Sequence, residues 1–143
     1  MENLKEEKLT SQDLINIAIE QTKKSYSPYS NFEVGCALQT KNGNIYTGSN
    51  IENAAFSPTL CAERVAIAAA VHNGEKEFKA IAIAGFKKGE EKGHTFPCGV
   101  CRQTLAEFCD KDFKLIIAKN KNGEHTEHTF EELFPHSFGK NNL

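Results

Sequence analysis

Apolar residues recur along this chain with two periods, one typical of amphipathic helices and one typical of strands. The segment 9–22 has an apolar stripe at helical spacing, and Thr10 or Ser11 is placed to cap it. Gly74 and Pro135 each follow a helical pattern and end it. The predicted helices cover residues 9–22, 61–71, 98–108 and 130–134.

Two Asn-Gly pairs, at 42–43 and 122–123, mark hairpin turns between segments of strand character. The run 79–85 is apolar without interruption, as expected for a strand covered on both faces. Helices and strands follow one another so that helices are available for both faces of one sheet. We predict the α/β class, as a three-layer α/β/α sandwich with one mixed sheet of about five strands, from 32–39, 45–51, 79–85, 113–119 and 124–129.

The composition is that of an ordinary globular domain and excludes several classes of function. The 143 residues are 39% hydrophobic and 25% charged, which fits one domain over 1–143. A formal net charge of −2 without a long basic run argues against a nucleic-acid surface. The opening residues are charged, and no stretch approaches ~18 continuous apolar residues. We therefore expect a cytoplasmic protein, without a membrane span, that acts on a small molecule.

The chain has five cysteines, an odd number that suits a reduced cytoplasmic protein better than a set of disulfides. Cys36 lies in a predicted strand, where we expect it to act as a small buried hydrophobe. Cys109 lies about two helical turns beyond Cys101, too far to share one ion with it. We expect Cys36 and Cys109 to be structural.

Cys98 and Cys101 are three residues apart at the start of a predicted helix that follows Pro97. This spacing puts both sulfurs at one helix end, near free backbone N–H groups that favour thiolates. The pair therefore forms half of a metal site. Cys61, which opens a second predicted helix, is the best-placed third ligand for a tetrahedral zinc ion.

Three protein ligands leave a fourth zinc position for water, which is typical of catalytic rather than structural sites. Glu63 follows Cys61 by two residues, where its carboxylate could reach such a water without binding the metal. A Cys-x-Glu segment followed by Pro-Cys-x-x-Cys is the signature of zinc-dependent deaminases, in which the glutamate is general acid and base. The pattern predicts this chemistry.

Other interpretations of these residues are weaker. A zinc ribbon needs a second closely spaced ligand pair, and Cys61 has no such neighbour. A catalytic cysteine or a redox pair would leave the combination of Cys61 and Glu63 unexplained. Glu63 alone would be an ordinary first-turn glutamate, favoured by the helix dipole. Surface or packing roles rather than metal binding are expected for the histidines His72, His94, His125, His128 and His136.

Three motifs occur in order: Asn50-Ile-Glu-Asn-Ala54, Cys61-Ala-Glu-Arg64 and Pro97-Cys-Gly-Val-Cys-Arg-Gln103. With them, nearly the whole chain resembles the small, homotetrameric, zinc-dependent cytidine deaminases. The resemblance implies hydrolytic deamination of cytidine and 2′-deoxycytidine, with one Zn²⁺ ion per subunit. Glu63 would carry protons while water activated by the zinc adds to C4 of the base and ammonia leaves.

The resemblance also assigns roles around the zinc and the substrate. Three thiolates leave the zinc site with a net negative charge, which the matching Arg64 offsets by donating to the sulfurs. Asn50 and Glu52 match the residues that hold the ribose 3′-hydroxyl, although their spacing alone fits an exposed strand end equally well. The further implied substrate contacts are Phe32 beside the pyrimidine, the backbone of Ala62 at the base, and Phe138 across a subunit boundary.

The chain departs from the family pattern at two positions, with Phe56 where many relatives have tyrosine and Cys36 where alanine is usual. Phe56 lacks a hydroxyl near a subunit interface. Arg102 is a second arginine that could add to the field at the metal. Neither departure touches the expected chemistry.

Several alternatives remain open at this point. Within the same chemistry, they are a deaminase of a modified aminonucleoside such as blasticidin S, and deaminases of nucleotides or nucleic acid. A non-catalytic zinc-stabilised binding module is the alternative from a different class. The expected assembly is a homotetramer with composite active sites, because a short chain has little spare length to cover a nucleoside.

Overall fold

The computed structural model describes residues 8–143, which form one mixed sheet with helices on both faces. No helix among them is long and apolar enough to cross a membrane. The helices α1 to α4 span Ser11–Gln21, Ala62–His72, Gly99–Ala106 and Phe130–Leu133. The strands β1 to β5 span Phe32–Thr40, Ile45–Ser49, Phe78–Lys87, Lys114–Ala118 and His125–Thr129.

The strands are arranged in the order β2-β1-β3-β4-β5. The β3–β4 pair is parallel, and the other neighbouring pairs are antiparallel. The two predicted Asn-Gly turns connect β1 to β2 and β4 to β5, and Gly43 and Gly123 adopt the positive φ angles that such turns favour. The predicted mixed sheet of five strands is confirmed.

The apolar positions divide between two cores, one on each face of the sheet. On one face, α1 covers mostly small residues of the central strands. On the opposite face, α2 and α3 pack over larger aliphatic side chains. β3 is buried on both faces because it lies at the centre of the sheet, as the run 79–85 predicts. The three-layer α/β/α sandwich is confirmed. The helical residues in these cores include Leu14, Ile15, Ala18, Ala62, Ala66, Ile67, Ala70 and Leu105.

The helix ends follow the capping signals in the sequence. Thr10 caps α1 and forms a reciprocal capping box with Asp13. Gly74 has a φ of +89° and closes α2, with its N–H bonded to the carbonyl oxygen of Val71. Both predicted boundaries are confirmed.

α3 and β2 each end two residues earlier than predicted. α3 is two residues shorter than the predicted segment 98–108 at its C-terminal end. β2 ends at Ser49, because Ile51 pairs with Leu60 instead of continuing beside β1. Asn50 and Glu52 therefore follow the strand and do not lie within it.

Gly48 allows α2 to approach the sheet closely. A Cβ atom at this position would lie 2.3 Å from the carbonyl oxygen of Ala62 and 2.9 Å from the nitrogen of Ala66. Both atoms belong to the helix backbone, so a larger residue at position 48 would push the helix start away from the sheet. β2 thus sets the position of the helix end that carries Cys61 and Glu63.

Candidate metal centre and active site

The N-terminal ends of α2 and α3 bring three cysteines together. Cys61 is the residue that precedes α2, and Cys98 occupies the same position before α3. Neither side chain caps its own helix, so both sulfurs remain available to another group. Cys101 follows in the first turn of α3, where its side chain is buried. The predicted position of the Cys98–Cys101 pair at a helix start is confirmed.

The three sulfur atoms have separations that fit a tetrahedral zinc ion. All three lie within 4.8 Å of one another, and the Sγ atoms of Cys61 and Cys98 are 3.7 Å apart. Zinc–sulfur bonds of about 2.3 Å at tetrahedral angles give sulfur–sulfur distances of about 3.8 Å. No histidine or carboxylate in residues 8–143 joins this group as a fourth ligand. The donor set is therefore suited to zinc with three thiolate ligands.

Arg64 lies against the cysteine cluster. Its Nη2 atom is 3.1 Å from the carbonyl oxygen of Thr59 and 3.7 Å from the Sγ atom of Cys61. The Nε atom of Arg64 is buried and has no hydrogen-bond partner in the part of the chain that the structure describes. The hydrogen bond to Cys61 raises the pKa of Arg64, so the guanidinium keeps its charge beside the sulfurs.

The electrostatic environment favours a thiolate at Cys61. A hydrogen bond from Cys101, followed by those from Arg64 and Cys98, lowers the pKa of Cys61 to about 5. The same bond, together with burial, raises the pKa of Cys101. A thiolate is the form of cysteine that binds zinc. The cluster therefore already favours one of the ligand charges that the metal requires.

Glu63 is the second residue of α2, and its side chain is only 4% exposed. Burial raises the pKa of Glu63 to about 7, and the charge on Cys61 adds to the effect. An ordinary first-turn glutamate would be solvated and would gain from the helix dipole at the surface. A buried carboxyl group that titrates near neutral pH instead suits general acid–base catalysis.

Cys36 lies beneath the start of α2. Its Sγ atom donates to the carbonyl oxygen of Ala62 at 3.1 Å, and its side chain is fully buried. Burial raises the pKa of the Cys36 thiol, so it stays neutral, as expected for a packing residue. The hydrogen bond links β1 to the helix end that carries Glu63, a contact that the sequence pattern does not show.

Asn50 is buried and joins three segments near the start of β1. Its Oδ1 atom accepts hydrogen bonds from the hydroxyl of Ser25 and from the backbone N–H of Val34. Its Nδ2 atom donates to the carbonyl oxygen of Phe32 at 2.8 Å. A side-chain amide has two N–H groups, so Asn50 retains one for a further partner.

The carboxylate of Glu52 is bound by the segment that precedes β1. The backbone N–H groups of Tyr29 and Ser30 donate to Oε1 at 2.9 and 3.1 Å, and the hydroxyl of Ser30 donates to Oε2. The hydrogen bond from the Ser30 hydroxyl has the largest effect on the pKa of Glu52, and together with the two backbone bonds it lowers that pKa. Glu52 is therefore charged at neutral pH, and its oxygens still have lone pairs for another donor.

A cavity of about 370 Å³ lies beside Glu52. Its volume falls within the range of small-molecule sites. The three cysteines and Asn50 are not among its lining residues. Within the described chain, the cavity and the cysteine cluster are thus separate features. The lining residues are Tyr29, Ser30, Glu52, Asn53, Phe56 and Thr59.

The remaining predicted contacts are aromatic. Phe32 shares the face of β1 that carries Cys36, because residues four apart in a strand point the same way. This is the face that α2 covers. Phe138 is 60% exposed, and the side-chain amide of Gln103 donates to its carbonyl oxygen at 2.9 Å. Phe56 is 88% exposed. The tail that carries Phe138 is therefore tied to the helix that carries the cysteine pair.

Arg102 makes its hydrogen bonds to the backbone and not to the cysteine sulfurs. Its Nε atom donates to the carbonyl oxygen of Pro97 at 2.8 Å, and its Nη1 atom donates to that of Leu133. Both donors are directed at backbone oxygens rather than at sulfur. Arg102 therefore connects the segment before Cys98 to the end of α4 through hydrogen bonds.

The histidines lie apart from the cysteine group among the described residues. The Nε2 atoms of His94 and His128 lie 2.7 and 2.9 Å from the hydroxyl of Thr126. Both rings also pack against Phe96. These contacts give the two histidines the local packing roles expected from the sequence.

Most of the chain is similar in sequence to known deaminases. The model of the cytidine and deoxycytidylate deaminase zinc-binding region matches residues 8–117, a range that includes the three cysteines and Glu63. A cytidine deaminase of Sporosarcina psychrophila is 43% identical over 121 residues, which is 85% of each chain. A blasticidin-S deaminase of Bacillus cereus is 32% identical over 133 residues, covering 90% of this chain and 92% of that protein.

Solved structures agree with the sequence relatives. The crystal structure of a cytidine deaminase from Burkholderia pseudomallei matches with a TM-score of 0.81 and 37% identity, over 91% of this chain and 100% of that chain. The two chains therefore share one fold over the matched part. On this evidence the chain belongs to the zinc-binding cytidine and deoxycytidylate deaminase family.

Proposed function

We propose that this protein catalyses hydrolytic deamination of cytidine and 2′-deoxycytidine to uridine and 2′-deoxyuridine, with release of ammonia. The observation that carries the proposal is the grouping of Cys61, Cys98 and Cys101 at two helix ends beside the buried carboxyl group of Glu63. The similarity to the cytidine deaminases of Sporosarcina psychrophila and Burkholderia pseudomallei supports it.

The three cysteines would hold one zinc ion per chain through their sulfur atoms. Bound there, zinc would act as a Lewis acid that makes water a nucleophile at neutral pH. Arg64 offsets the excess negative charge of three thiolates, because its guanidinium lies against Cys61. The N-terminal ends of α2 and α3 add partial positive charge at the same place.

Glu63 moves the protons of the reaction. As a carboxylate, it accepts a proton from the attacking water and delivers it to N3 of the pyrimidine while the water oxygen bonds to C4. It then takes the proton of the newly added hydroxyl group and transfers it to the amino group. The bond between C4 and the amino nitrogen breaks, and ammonia leaves. One water is consumed for each ammonia released.

The substrate contacts follow from the network around β1. Asn50 retains one amide donor, and Glu52 retains acceptor positions, so together they could bind both sides of the ribose 3′-hydroxyl. Phe32, on the face of β1 that α2 covers, would lie beside the pyrimidine. Ala62 is the first residue of α2, where a backbone N–H has no helical partner and is available to the base.

Deamination of a modified aminonucleoside is the second candidate function, since a blasticidin-S deaminase is similar over 90% of this chain. A non-catalytic zinc-stabilised module is a weaker candidate. Such a module would have no use for a carboxyl group that is 4% exposed, because burying it costs free energy.

Substrate profiling separates these candidates. We expect cytidine and 2′-deoxycytidine to be deaminated, and we expect kcat/KM for CMP to be lower by about tenfold or more. The physical reason is that Glu52 places a fixed negative charge at the sugar, which repels a phosphate. The measurement is ammonia release from each substrate and from blasticidin S. Comparable turnover of CMP would count against this pocket, and preferential turnover of blasticidin S would favour the second candidate.

We also infer a homotetramer whose active sites are completed by neighbouring chains. Several large apolar side chains are exposed in the described chain, and apolar residues left exposed in one chain can form an association surface. One of them, Val100, lies between the two cysteines of the Cys-x-x-Cys motif. A second chain would cover these residues and enclose the nucleoside. The exposed apolar residues include Tyr26, Tyr29, Phe56, Val100 and Phe138.

Replacing Phe138 with alanine should raise KM for cytidine about tenfold and leave zinc content unchanged. The reason is that Phe138 would contact the base in a neighbouring subunit, outside the zinc centre. Leu143→Ala is the matched control, because Leu143 is an exposed apolar residue of the same tail. Activity measured on dilution should fall together with the tetramer, as followed by sedimentation. A fully active monomer would contradict the composite site.

We propose a cytoplasmic location for the enzyme. All five cysteines are free, as expected where the cell keeps thiols reduced. The zinc-binding role of three of them depends on this, because a disulfide would remove the ligands.

A further inference from the structure

The hydroxyl group of Ser30 connects two of the residues to which substrate contacts are assigned. It donates to Oε2 of Glu52, and it accepts the backbone N–H of Phe32 at 3.0 Å. A serine hydroxyl has one donor and two acceptor positions, so it can make both bonds at once. A single side-chain atom therefore links the carboxylate of Glu52 to the start of β1.

The two oxygens of Glu52 are held differently. Oε1 accepts from two backbone N–H groups, those of Tyr29 and Ser30. Oε2 accepts only from the Ser30 hydroxyl among the described residues. The backbone contacts fix where the carboxylate sits, while the hydroxyl fixes the direction in which its second oxygen points. Loss of the hydroxyl would free rotation about the last side-chain bond of Glu52.

The turn that carries Ser30 does not depend on its side chain. Asn31 adopts a left-handed φ of 57°, and its N–H bonds to the carbonyl oxygen of Ser27 at 3.0 Å. These backbone features close the turn without the Ser30 hydroxyl. The other end of Phe32 is held independently, through its carbonyl oxygen and Asn50. An alanine at position 30 should therefore preserve the fold and remove only the link between Glu52 and Phe32.

We propose that Ser30 is a positioning residue that orients Glu52 toward a sugar hydroxyl of the substrate and aligns it with Phe32. The proposal rests on the proposed function, because it takes Glu52 as the contact to the 3′-hydroxyl. A carboxylate that is oriented before binding loses less freedom when the substrate enters. Ser30 touches neither the base nor the metal ligands, so its effect belongs to KM rather than to kcat.

The test compares cytidine with 3′-deoxycytidine in the zinc-loaded enzyme. We expect Ser30→Ala to raise KM for cytidine about tenfold, the effect of weakening one hydrogen bond to a charged group. Its kcat and zinc content should stay near those of the wild type. KM for 3′-deoxycytidine should change by less than about twofold, because that substrate lacks the hydroxyl that Glu52 would bind. Ser30→Thr retains a hydroxyl and should restore the wild-type KM.

Two further variants make the result specific. Ser57→Ala is the matched control, because Ser57 is an exposed serine that takes no part in the hydrogen bonds to Glu52. Glu52→Gln, like Ser30→Ala, should raise KM for cytidine much more than KM for 3′-deoxycytidine. Equal KM increases for both substrates in Ser30→Ala, or an unchanged KM for cytidine, would overturn the role of Ser30.

The remaining outcomes locate a failure elsewhere. If Glu52→Gln does not distinguish the two substrates, the sugar contact of Glu52 is wrong, and the role of Ser30 is wrong with it. If the wild-type protein leaves cytidine intact, the proposed function itself fails. Thermal unfolding of Ser30→Ala close to that of the wild type would confirm that the KM change does not reflect a damaged fold.

Discussion

Replacing Glu63 with glutamine should lower kcat for cytidine by about 10⁴-fold or more. General acid–base groups typically contribute about 10²- to 10⁴-fold, and Glu63 would serve several proton transfers in one catalytic cycle. Glutamine has nearly the same shape as glutamate but can neither accept nor release the proton. The measurement is single-turnover and steady-state deamination, together with zinc content by elemental analysis.

The variant should keep its zinc and its fold. Glu63 is not one of the three grouped ligands, and a neutral amide is easier to bury than a carboxylate. Glu131→Gln is the matched control, because Glu131 is an exposed glutamate in the first turn of α4. It should be as active as the wild type. Turnover by Glu63→Gln within about tenfold of the wild type would reject the proton-transfer role.

The regular parts of the fold could be predicted from the sequence because their signals are local. The Asn-Gly turns determine two hairpins, and the uninterrupted apolar run of β3 indicates a central strand. The cysteine spacing likewise places Cys98 and Cys101 at one helix end. Cys61 also lies at a helix start, that of α2, and the fold places it beside Cys98 and Cys101.

The network around the sugar could not be predicted, because its contacts join residues far apart in the chain. Glu52 bonds to Tyr29 and Ser30, which lie 23 and 22 positions earlier. Those bonds depend on how the turn before β1 folds over the end of β2, and on the left-handed backbone at Asn31. No residue pattern in either segment indicates the partner. The early end of β2 also depends on a contact between separate segments, the pairing of Ile51 with Leu60.

Arg102 shows a related limit of sequence interpretation. A basic residue directly after Cys101 suggests an electrostatic role at the metal, as it does for Arg64 after Glu63. The directions of the two side chains differ, since Arg64 approaches a sulfur and Arg102 approaches two carbonyl oxygens. The difference arises from α4, which brings the carbonyl of Leu133 over α3. Proximity in sequence therefore identifies a residue near the metal site, but it does not show which atoms the side chain contacts.

Replacing Cys101 with alanine should lower the zinc content from about one ion per chain to nearly none, and activity should be lost with it. Two remaining thiolates do not complete a tetrahedral zinc site, and no histidine in residues 8–143 belongs to the sulfur cluster. The measurement is elemental analysis of purified protein, followed by an assay with added zinc. Cys61→Ala and Cys98→Ala should behave in the same way.

Cys109→Ala is the matched control for the cysteine variants, because Cys109 packs against the core and lies outside the sulfur cluster. It should retain its zinc and its activity. The comparison with Glu63→Gln then separates a catalytic centre from a structural one. In a catalytic centre, Cys101→Ala loses both zinc and turnover, whereas Glu63→Gln loses turnover alone. A Cys101→Ala protein that still bound one zinc with wild-type affinity would show that the ligands are not these three cysteines.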